Sequence, residues 1–265
     1  EVTERTGVAK ALDDLRHRSN FADPTGLVRS YRLAFERIGT RVAKGVDRDA
    51  VLANLQADPL HSHWLAGLDS WVEVLLRHAD RQEADRMIDS LRWLANGLDP
   101  NEVTRSVRNA RVDADADALR SLDRPDVVRQ LTPQGFGALV DGLESTGATE
   151  RAATLRRLGP VMFPGDFQVH LRLGQALLHS GSAIDHEVAI QCLRSALLIR
   201  PGDAFVLGDL ATLLMTCGRA ELARDTAEQA IAADPNHPIG YFAMAGWHTD
   251  NMDLPSAIAV LRKAS

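Results

Sequence analysis

The feature that most restricts the fold of this 265-residue chain is a turn motif that recurs in its second half. Pro-Gly-Asp occurs at 164–166 and again at 201–203, and Asp-Pro-Asn follows at 234–236. The three prolines are 37 and then 34 residues apart, and glycines at 147, 181 and 218 repeat at 34 and 37. Because a period of roughly 20 to 50 residues is typical of stacked units, we expect a repeat protein.

The segment from Ala204 to His237 shows what one unit contains. Its first half is predicted to be an amphipathic helix, because apolar residues fall at i, i+3, i+4 and i+7: Leu207, Leu210, Ala211 and Leu214. Gly218 is expected to end that helix in the left-handed conformation of a C-terminal cap. The second helix carries small residues that let two helices approach closely, and a proline follows it: Ala223, Ala227, Ala230 and Pro235.

The neighbouring units follow this plan with two departures. Three extra residues lie between Gly181 and Ala189, and we interpret them as an enlarged turn. Gly159-Pro160 falls inside the second helix of the earliest unit, so that helix is predicted to end early or to kink. Upstream, helices are predicted near 10–15, 24–38, 48–55, 68–76 and 84–98. Strand signals are scarce, so the fold class is predicted to be all-α.

The plan resembles the tetratricopeptide repeat (TPR), and the resemblance implies a right-handed superhelical solenoid preceded by a TPR-like α-helical region. The domain boundaries expected from it are an N-terminal helical region at 1–62, degenerate TPR-like helices at 63–131 and TPR repeats at 132–265. The repeats divide at about 132–166, 167–203, 204–237 and 238–265, the last incomplete.

In TPR proteins the first helices of successive units line a concave groove, through the second, fifth, ninth, twelfth and thirteenth positions of each unit. Carried onto this chain, the resemblance selects ten principal residues: Gln168, Leu171, Gln175, Leu178, Phe205, Thr212, Met215, Ile239, Phe242 and Thr249. The same positions add His179, Gly208, Thr216, Gly246 and Asp250. None is a lysine or arginine, which disfavours capture of a C-terminal carboxylate and favours an apolar or helical protein segment as the partner. The alternative is that these residues pack only against neighbouring units.

A longer succession of landmarks resembles the region C-terminal to the kinase domain of planctomycete serine/threonine protein kinases that carry TPRs. It begins with Tyr-Arg-Leu-Ala-Phe-Glu-Arg-Ile-Gly at 31–39 and Gly-Leu-Asp-Ser-Trp at 67–71. It continues with Gly-Leu-Asp-Pro at 97–100, Asp-Ala-Leu-Arg at 117–120 and Leu-Thr-Pro at 131–133, and ends with Phe-Pro-Gly-Asp-Phe at 163–167. The resemblance implies a bacterial signalling protein. The chain itself has no glycine-rich nucleotide loop, His-Arg-Asp triplet or Asp-Phe-Gly, so it is not expected to be an enzyme.

No other pattern indicates a cofactor or a metal site. Asp113, Asp115 and Asp117 alternate as in a calcium loop, but the required glycine and twelfth-position acid are missing, so they are expected at a helix N-terminus. His61 and His63 are two residues apart and diverge on a helix. His170 and His248 occupy packing positions of first helices and are interpreted as partly buried, hydrogen-bonded histidines. An enzymatic or ligand-binding helical domain remains a weaker alternative, and it would need convergent titratable groups.

Net charge and the distribution of apolar residues disfavour two partner classes. A net charge of -6 and a pI near 5.8 disfavour nucleic acid. Neither a long apolar stretch nor a charged-then-apolar leader is present, so no membrane is expected. Cys192 and Cys217 fit buried thiols in a reducing, cytoplasmic setting.

The chain lacks an initial methionine and a polar helix after its last repeat. We therefore expect a piece of a longer protein or, alternatively, a structural solenoid that self-associates through the C-terminal helix.

Overall fold

The computed structural model describes residues 2–18, 24–42, 47–78 and 81–264. The chain is 80% helical, and no strand occurs in these ranges, which confirms the all-α prediction. It divides into two compact units, Glu1–Thr149 (unit 1) and Glu150–Ser265 (unit 2).

Unit 1 contains nine helices within the described residues. They are α1 (Val2–Arg18), α2 (Pro24–Arg37), α3 (Arg48–Gln56), α4 (His61–His78), α5 (Arg81–Leu98), α6 (Glu102–Val112), α7 (Ala116–Leu122), α8 (Pro125–Val128) and α9 (Pro133–Ser145). The five upstream helices predicted from the sequence are α1 to α5. Asp115 accepts hydrogen bonds from the backbone N–H groups of Asp117 and Ala118, so Asp115 caps the N-terminus of α7 and Asp117 lies in its first turn, as predicted. Asp113 instead lies at the end of α6.

The core of the first half of unit 1 is aromatic and centres on α4. Apolar residues of α4 are buried at i, i+4, i+7 and i+11, and this spacing keeps one helical face inward: Trp64, Leu68, Trp71 and Leu75. The Trp71 ring stacks on Phe35 and Tyr31 of α2, with centroids 5.7 and 6.2 Å apart. These contacts fix α2 against α4.

A buried ion cluster ties α4, α5 and α6 together. The Arg108 guanidinium donates to both carboxylate oxygens of Asp69 at 2.7 and 3.1 Å, and to Asp99 at 2.8 Å. It also donates to the side-chain oxygen of Asn96 at 2.9 Å. Arg108 and Asp99 are both buried, and the multiple hydrogen bonds compensate for the loss of hydration.

Unit 2 is built from helices that pair in chain order. After α10 (Thr149–Met162), which begins at the unit boundary, come α11 (Phe167–Leu178), α12 (Ala183–Ile199), α13 (Ala204–Thr216), α14 (Ala220–Ala233), α15 (Pro238–Asp250) and α16 (Leu254–Leu261). The pairs α11–α12, α13–α14 and α15–α16 each pack together, and α13 also packs against α15. We call α11, α13 and α15 the first helices and α12, α14 and α16 the second helices.

The recurring turn motif has a structural explanation in helix capping. Asp166 accepts a hydrogen bond from the Val169 N–H at 2.9 Å, and Asp203 accepts one from the Val206 N–H at 3.1 Å. Each Pro-Gly-Asp therefore turns the chain and caps the next first helix. Gly218 has φ +70°, the left-handed conformation expected at the end of α13.

Small residues allow the close helix pairing that the sequence predicts. Ala223, Ala227 and Ala230 of α14 are all buried. On α11, a Cβ at Gly174 would lie 2.8 Å from Leu193 of α12, closer than ordinary packing permits. The glycine lets α11 and α12 lie against each other.

One local expectation is corrected, and a second is narrowed. The three extra residues of the repeat at 167–203 do not enlarge its turn. They lengthen its second helix, because α12 has 17 residues whereas α14, the second helix of the next repeat, has 14. Ser182 caps α12 by accepting a hydrogen bond from the Asp185 N–H at 3.4 Å, so α12 begins sooner after Gly181 than an enlarged turn would allow. The helix containing Gly159-Pro160 does not end there but continues to Met162, so of the two predicted outcomes the early end is wrong and the kink stays a prediction.

Helix starts and predicted repeat boundaries can be compared directly. The last three predicted repeats begin within a residue of α11, α13 and α15. The compact units divide after Thr149, which falls inside the predicted repeat at 132–166. The division into 1–62, 63–131 and 132–265 stays a prediction.

Candidate protein-interaction surface

The first helices of unit 2 approach one another closely at Gly208. A Cβ at this position would lie 2.3 Å from Cγ1 of Ile239, so the Ile239 side chain occupies the place that any larger residue on α13 would need. The contact brings α15 directly against α13. It also means that Ile239, one of the ten predicted groove residues, is half-buried by packing between α13 and α15.

Three of the predicted groove residues are buried in the core of unit 2. Leu171, Leu178 and Phe205 are 3%, 8% and 4% exposed, and all three belong to one hydrophobic cluster. The Phe205 ring also meets the His237 ring edge to face at 6.0 Å. The surface open to a partner is therefore narrower than the sequence predicts, because close packing of successive first helices uses part of it.

The other predicted groove residues keep exposed surface. Gln168, Gln175 and Met215 are half-buried, whereas Thr212, Thr249 and Phe242 are exposed. Phe242 is 55% exposed, the largest aromatic exposure in the described part of unit 2. One helical turn further along α15, a Cβ at Gly246 would meet no atom within 4 Å, so open space lies there. We call these seven residues, Gln168, Gln175, Thr212, Met215, Ile239, Phe242 and Thr249, the first-helix face.

A buried carboxyl group lies behind this face. Gln175 Nε2 on α11 donates to Asp209 Oδ2 on α13 at 3.0 Å, which links two first helices. Burial raises the pKa of Asp209 to about 6; the hydrogen bond from Gln175 lowers it and the Asp203 carboxylate raises it. The sequence reasoning did not single out Asp209, although an acid between the apolar residues Leu207 and Leu210 was a visible signal.

Exposed apolar side chains are also concentrated on the second helices, where sequence reasoning predicted no surface site before α16. On α12 they include Ile184 and Leu198, and on α16 Leu254, Ile258 and Leu261. Leu198 is 84% exposed. The signal available in the sequence was apolar spacing of i, i+4 and i+7 on α16, along a strip that borders the packed Ala257.

The four histidines that the sequence analysis considered lie on three different helices, α4, α11 and α15. Among the described residues, no group of three His, Cys, Asp or Glu side chains is placed to hold a metal ion. His170 is buried with Nε2 2.9 Å from the Pro164 carbonyl oxygen, and His248 Nδ1 lies 3.3 Å from Asp253 Oδ2. His61 and His63 are exposed at the start of α4. No helix in the described ranges is long and apolar enough to cross a membrane.

Helix pairs packed in series, with first helix against first helix, define unit 2 as a TPR-like α-helical solenoid. Solved structures of MamA, a helical TPR-like solenoid, are similar to this chain. A structure of MamA AMB-1 matches at 19% identity and TM-score 0.50, over 62% of this chain and 93% of the other. A second MamA protein structure matches at 17% identity and a TM-score of 0.51, over 61% of this chain and 87% of the other. A structure of MamA from Desulfovibrio magneticus RS-1 matches at 19% identity and a TM-score of 0.49, over 62% of this chain and 93% of the other.

These similarities concern the fold alone, because the sequence identities are low. No protein-family model and no curated protein matches the chain. The TPR-like fold predicted from the sequence is thus confirmed, while the function has to be argued from the surface of the molecule.

Proposed function

We propose that this chain is a protein-interaction scaffold whose first-helix face binds an apolar or helical segment of another protein. The observation that carries the proposal is the exposure of the Phe242 ring beside the open space at Gly246. Exposed aromatic side chains next to a depression are typical anchor points of protein interfaces, since they bury a large area at a small cost in conformational entropy.

The charge of the face limits which segment fits. The first-helix face has no lysine or arginine, and the Asp209 carboxyl lies behind it. A segment ending in a free carboxylate finds no basic partner there. An apolar segment with neutral or basic flanks meets no like charge, so this is the chemistry that we assign to the partner.

The test is affinity capture from bacterial extract with the whole chain as bait, followed by measurement of the affinity of each captured protein. Phe242→Ala is expected to weaken binding by about 10-fold or more, the usual effect of removing an interface aromatic. Leu198→Ala is the matched control, because Leu198 is an exposed apolar residue on a second helix. Its affinity should stay unchanged.

Two results would contradict the proposal: capture of no protein, or capture of a protein whose affinity is the same for Phe242→Ala and the native chain. A partner that is lost with Leu198→Ala instead would place the interaction on α12.

The signalling context is a further part of this proposal. We infer from landmarks such as those at 31–39, 67–71, 97–100 and 163–167 that the scaffold belongs to a bacterial serine/threonine kinase of the planctomycete type, acting in the cytoplasm. Only short sequence motifs support this. Reading the complete coding sequence tests it: a parent protein without a glycine-rich nucleotide loop and His-Arg-Asp triplet would rule it out.

A second candidate function is self-association through the C-terminal helix. A specific observation favours it: three of the four larger apolar residues of α16, Leu254, Ile258 and Leu261, are exposed. Exposed apolar clusters on a helix mark interaction sites, because burying them removes apolar area from water.

A further inference from the structure

The outer face of α16 consists of Leu254, Ile258 and Leu261, which we call the α16 face. These residues are 59%, 52% and 41% exposed, while the neighbouring Ala257 is buried where α16 packs against α15. No charged residue occurs between 254 and 261. The α16 face is therefore a continuous apolar strip about two turns long.

Comparison with α12 shows what this face can accept. Ile258 and Leu261 follow the packed Ala257 by one and four residues, just as Ile190 and Leu193 follow the packed Ala189 on α12. Ile190 and Leu193 are completely buried, in a cluster with residues of α13, the next first helix. The two positions of α12 that correspond to Ile258 and Leu261 are thus covered by the helix α13. The α16 face has the side chains needed to pack against a helix as well.

Charges at the two ends of α16 indicate which helix fits. Asp250 and Asp253 lie at the end where α16 begins, and Arg262 and Lys263 lie where it stops. If a second α16 packs antiparallel on the first, each acidic end meets a basic end. The two helix dipoles also oppose each other in this orientation.

We propose that the α16 face binds the α16 face of a second copy of this chain, antiparallel and around a two-fold axis. This inference rests on the self-association proposed above and specifies its geometry. A two-fold contact uses the same residues on both copies and closes after two, so the product is a dimer and not a filament.

The expected strength follows from the small size of the contact. Two short helices bury less area than the roughly 1,200 Å² typical of stable interfaces. We therefore expect a dissociation constant of about 10 to 300 µM, which corresponds to a weak and reversible dimer.

The first experiment measures the mass of the whole chain by sedimentation equilibrium from about 5 to 500 µM, a range that brackets the expected dissociation constant. The native chain should shift from monomer to dimer. Ile258→Lys should remain monomeric, because a charge would be buried at the centre of the contact. Leu198→Lys, an equally drastic change at an exposed residue of α12, should dimerise like the native chain, and helical circular dichroism checks that each variant is folded.

The second experiment tests the antiparallel orientation by charge exchange. Asp250 is chosen for the acidic end because Asp253 caps α16 by accepting from the Ser256 N–H at 3.2 Å. Asp250→Lys alone and Lys263→Glu alone should each weaken the dimer by about 3- to 10-fold, since like charges then meet twice. A mixture of the two variants should restore native affinity, because each altered end then meets an opposite charge.

A chain that stays monomeric at every concentration overturns the proposal and self-association together. Association that grows beyond two copies, that Ile258→Lys leaves intact, or that the mixture does not restore overturns the antiparallel dimer alone. Partner capture repeated with the monomeric Ile258→Lys variant reports separately on the scaffold function of the first-helix face.

Discussion

At the scale of single residues, the carboxyl group of Asp209 makes the stability of unit 2 depend on pH. Its pKa in the folded state, about 6, lies above the ordinary value of 3.8 because burial disfavours the charged form. The folded state therefore binds the proton more tightly than the unfolded chain. The stabilisation is complete below about pH 3.8 and is lost as the pH rises through 6.

Asp209→Asn removes this dependence while keeping an oxygen that can accept from Gln175. At pH 8 we expect the variant to be more stable than the native chain by up to about 3 kcal/mol, and at pH 4 the difference should be small. Urea denaturation at both pH values measures it. Asp250→Asn, which changes an exposed carboxylate on α15, serves as the control and should show no such gain.

In unit 1, the residue expected to affect stability most directly through charge is Arg108, the cation of the buried ion cluster. Arg108→Met leaves Asp99 buried and Asp69 half-buried without their cation, so we expect a loss of about 3 to 5 kcal/mol in the free energy of unfolding. Combining it with Asp69→Asn and Asp99→Asn should recover a large part of that loss, because no unpaired charge then remains. Equal instability of the single and triple variants in denaturant titrations would argue against the ion cluster as the cause.

At the scale of helices, two glycines on first helices should respond oppositely to the same substitution. Gly208→Ala places a methyl group where Ile239 lies, so α13 and α15 must separate, and we expect a loss of about 1 to 3 kcal/mol. Gly246→Ala meets open space, and alanine favours helix, so we expect a gain of up to about 1 kcal/mol. Thermal unfolding compares the two variants directly. A loss of stability in both variants would contradict the assignment of open space to Gly246.

At the scale of the whole molecule, the net charge of -6 predicts that the chain does not bind nucleic acid nonspecifically. Such binding needs many cations that displace counterions from phosphates. Fluorescence anisotropy with a labelled DNA duplex at about 150 mM salt should give no saturable signal, with a basic DNA-binding protein as the positive control. Saturation below about 100 µM chain would contradict this prediction.

Features that depend on neighbouring residues in the chain were predicted well. Helical periodicity located α1 to α5 and the helix pairs of unit 2, and the Pro-Gly-Asp motifs located the caps at Asp166 and Asp203. The one clear local misjudgement, the supposed long turn before α12, came from not recognising Ser182 as an early cap. Capping and periodicity can be read from sequence because they involve residues three or four apart.

Which side chains are accessible depends on tertiary packing. Phe205 and Phe242 were both assigned to the groove, yet one is 4% and the other 55% exposed. Ile190 and Ile258 hold equivalent positions on α12 and α16 and are 0% and 52% exposed. The helices, their pairing and the apolar face of each follow from local sequence. Which apolar residues remain open to a partner depends on whether another helix packs over them, and that neighbour is distant in the chain or belongs to another molecule.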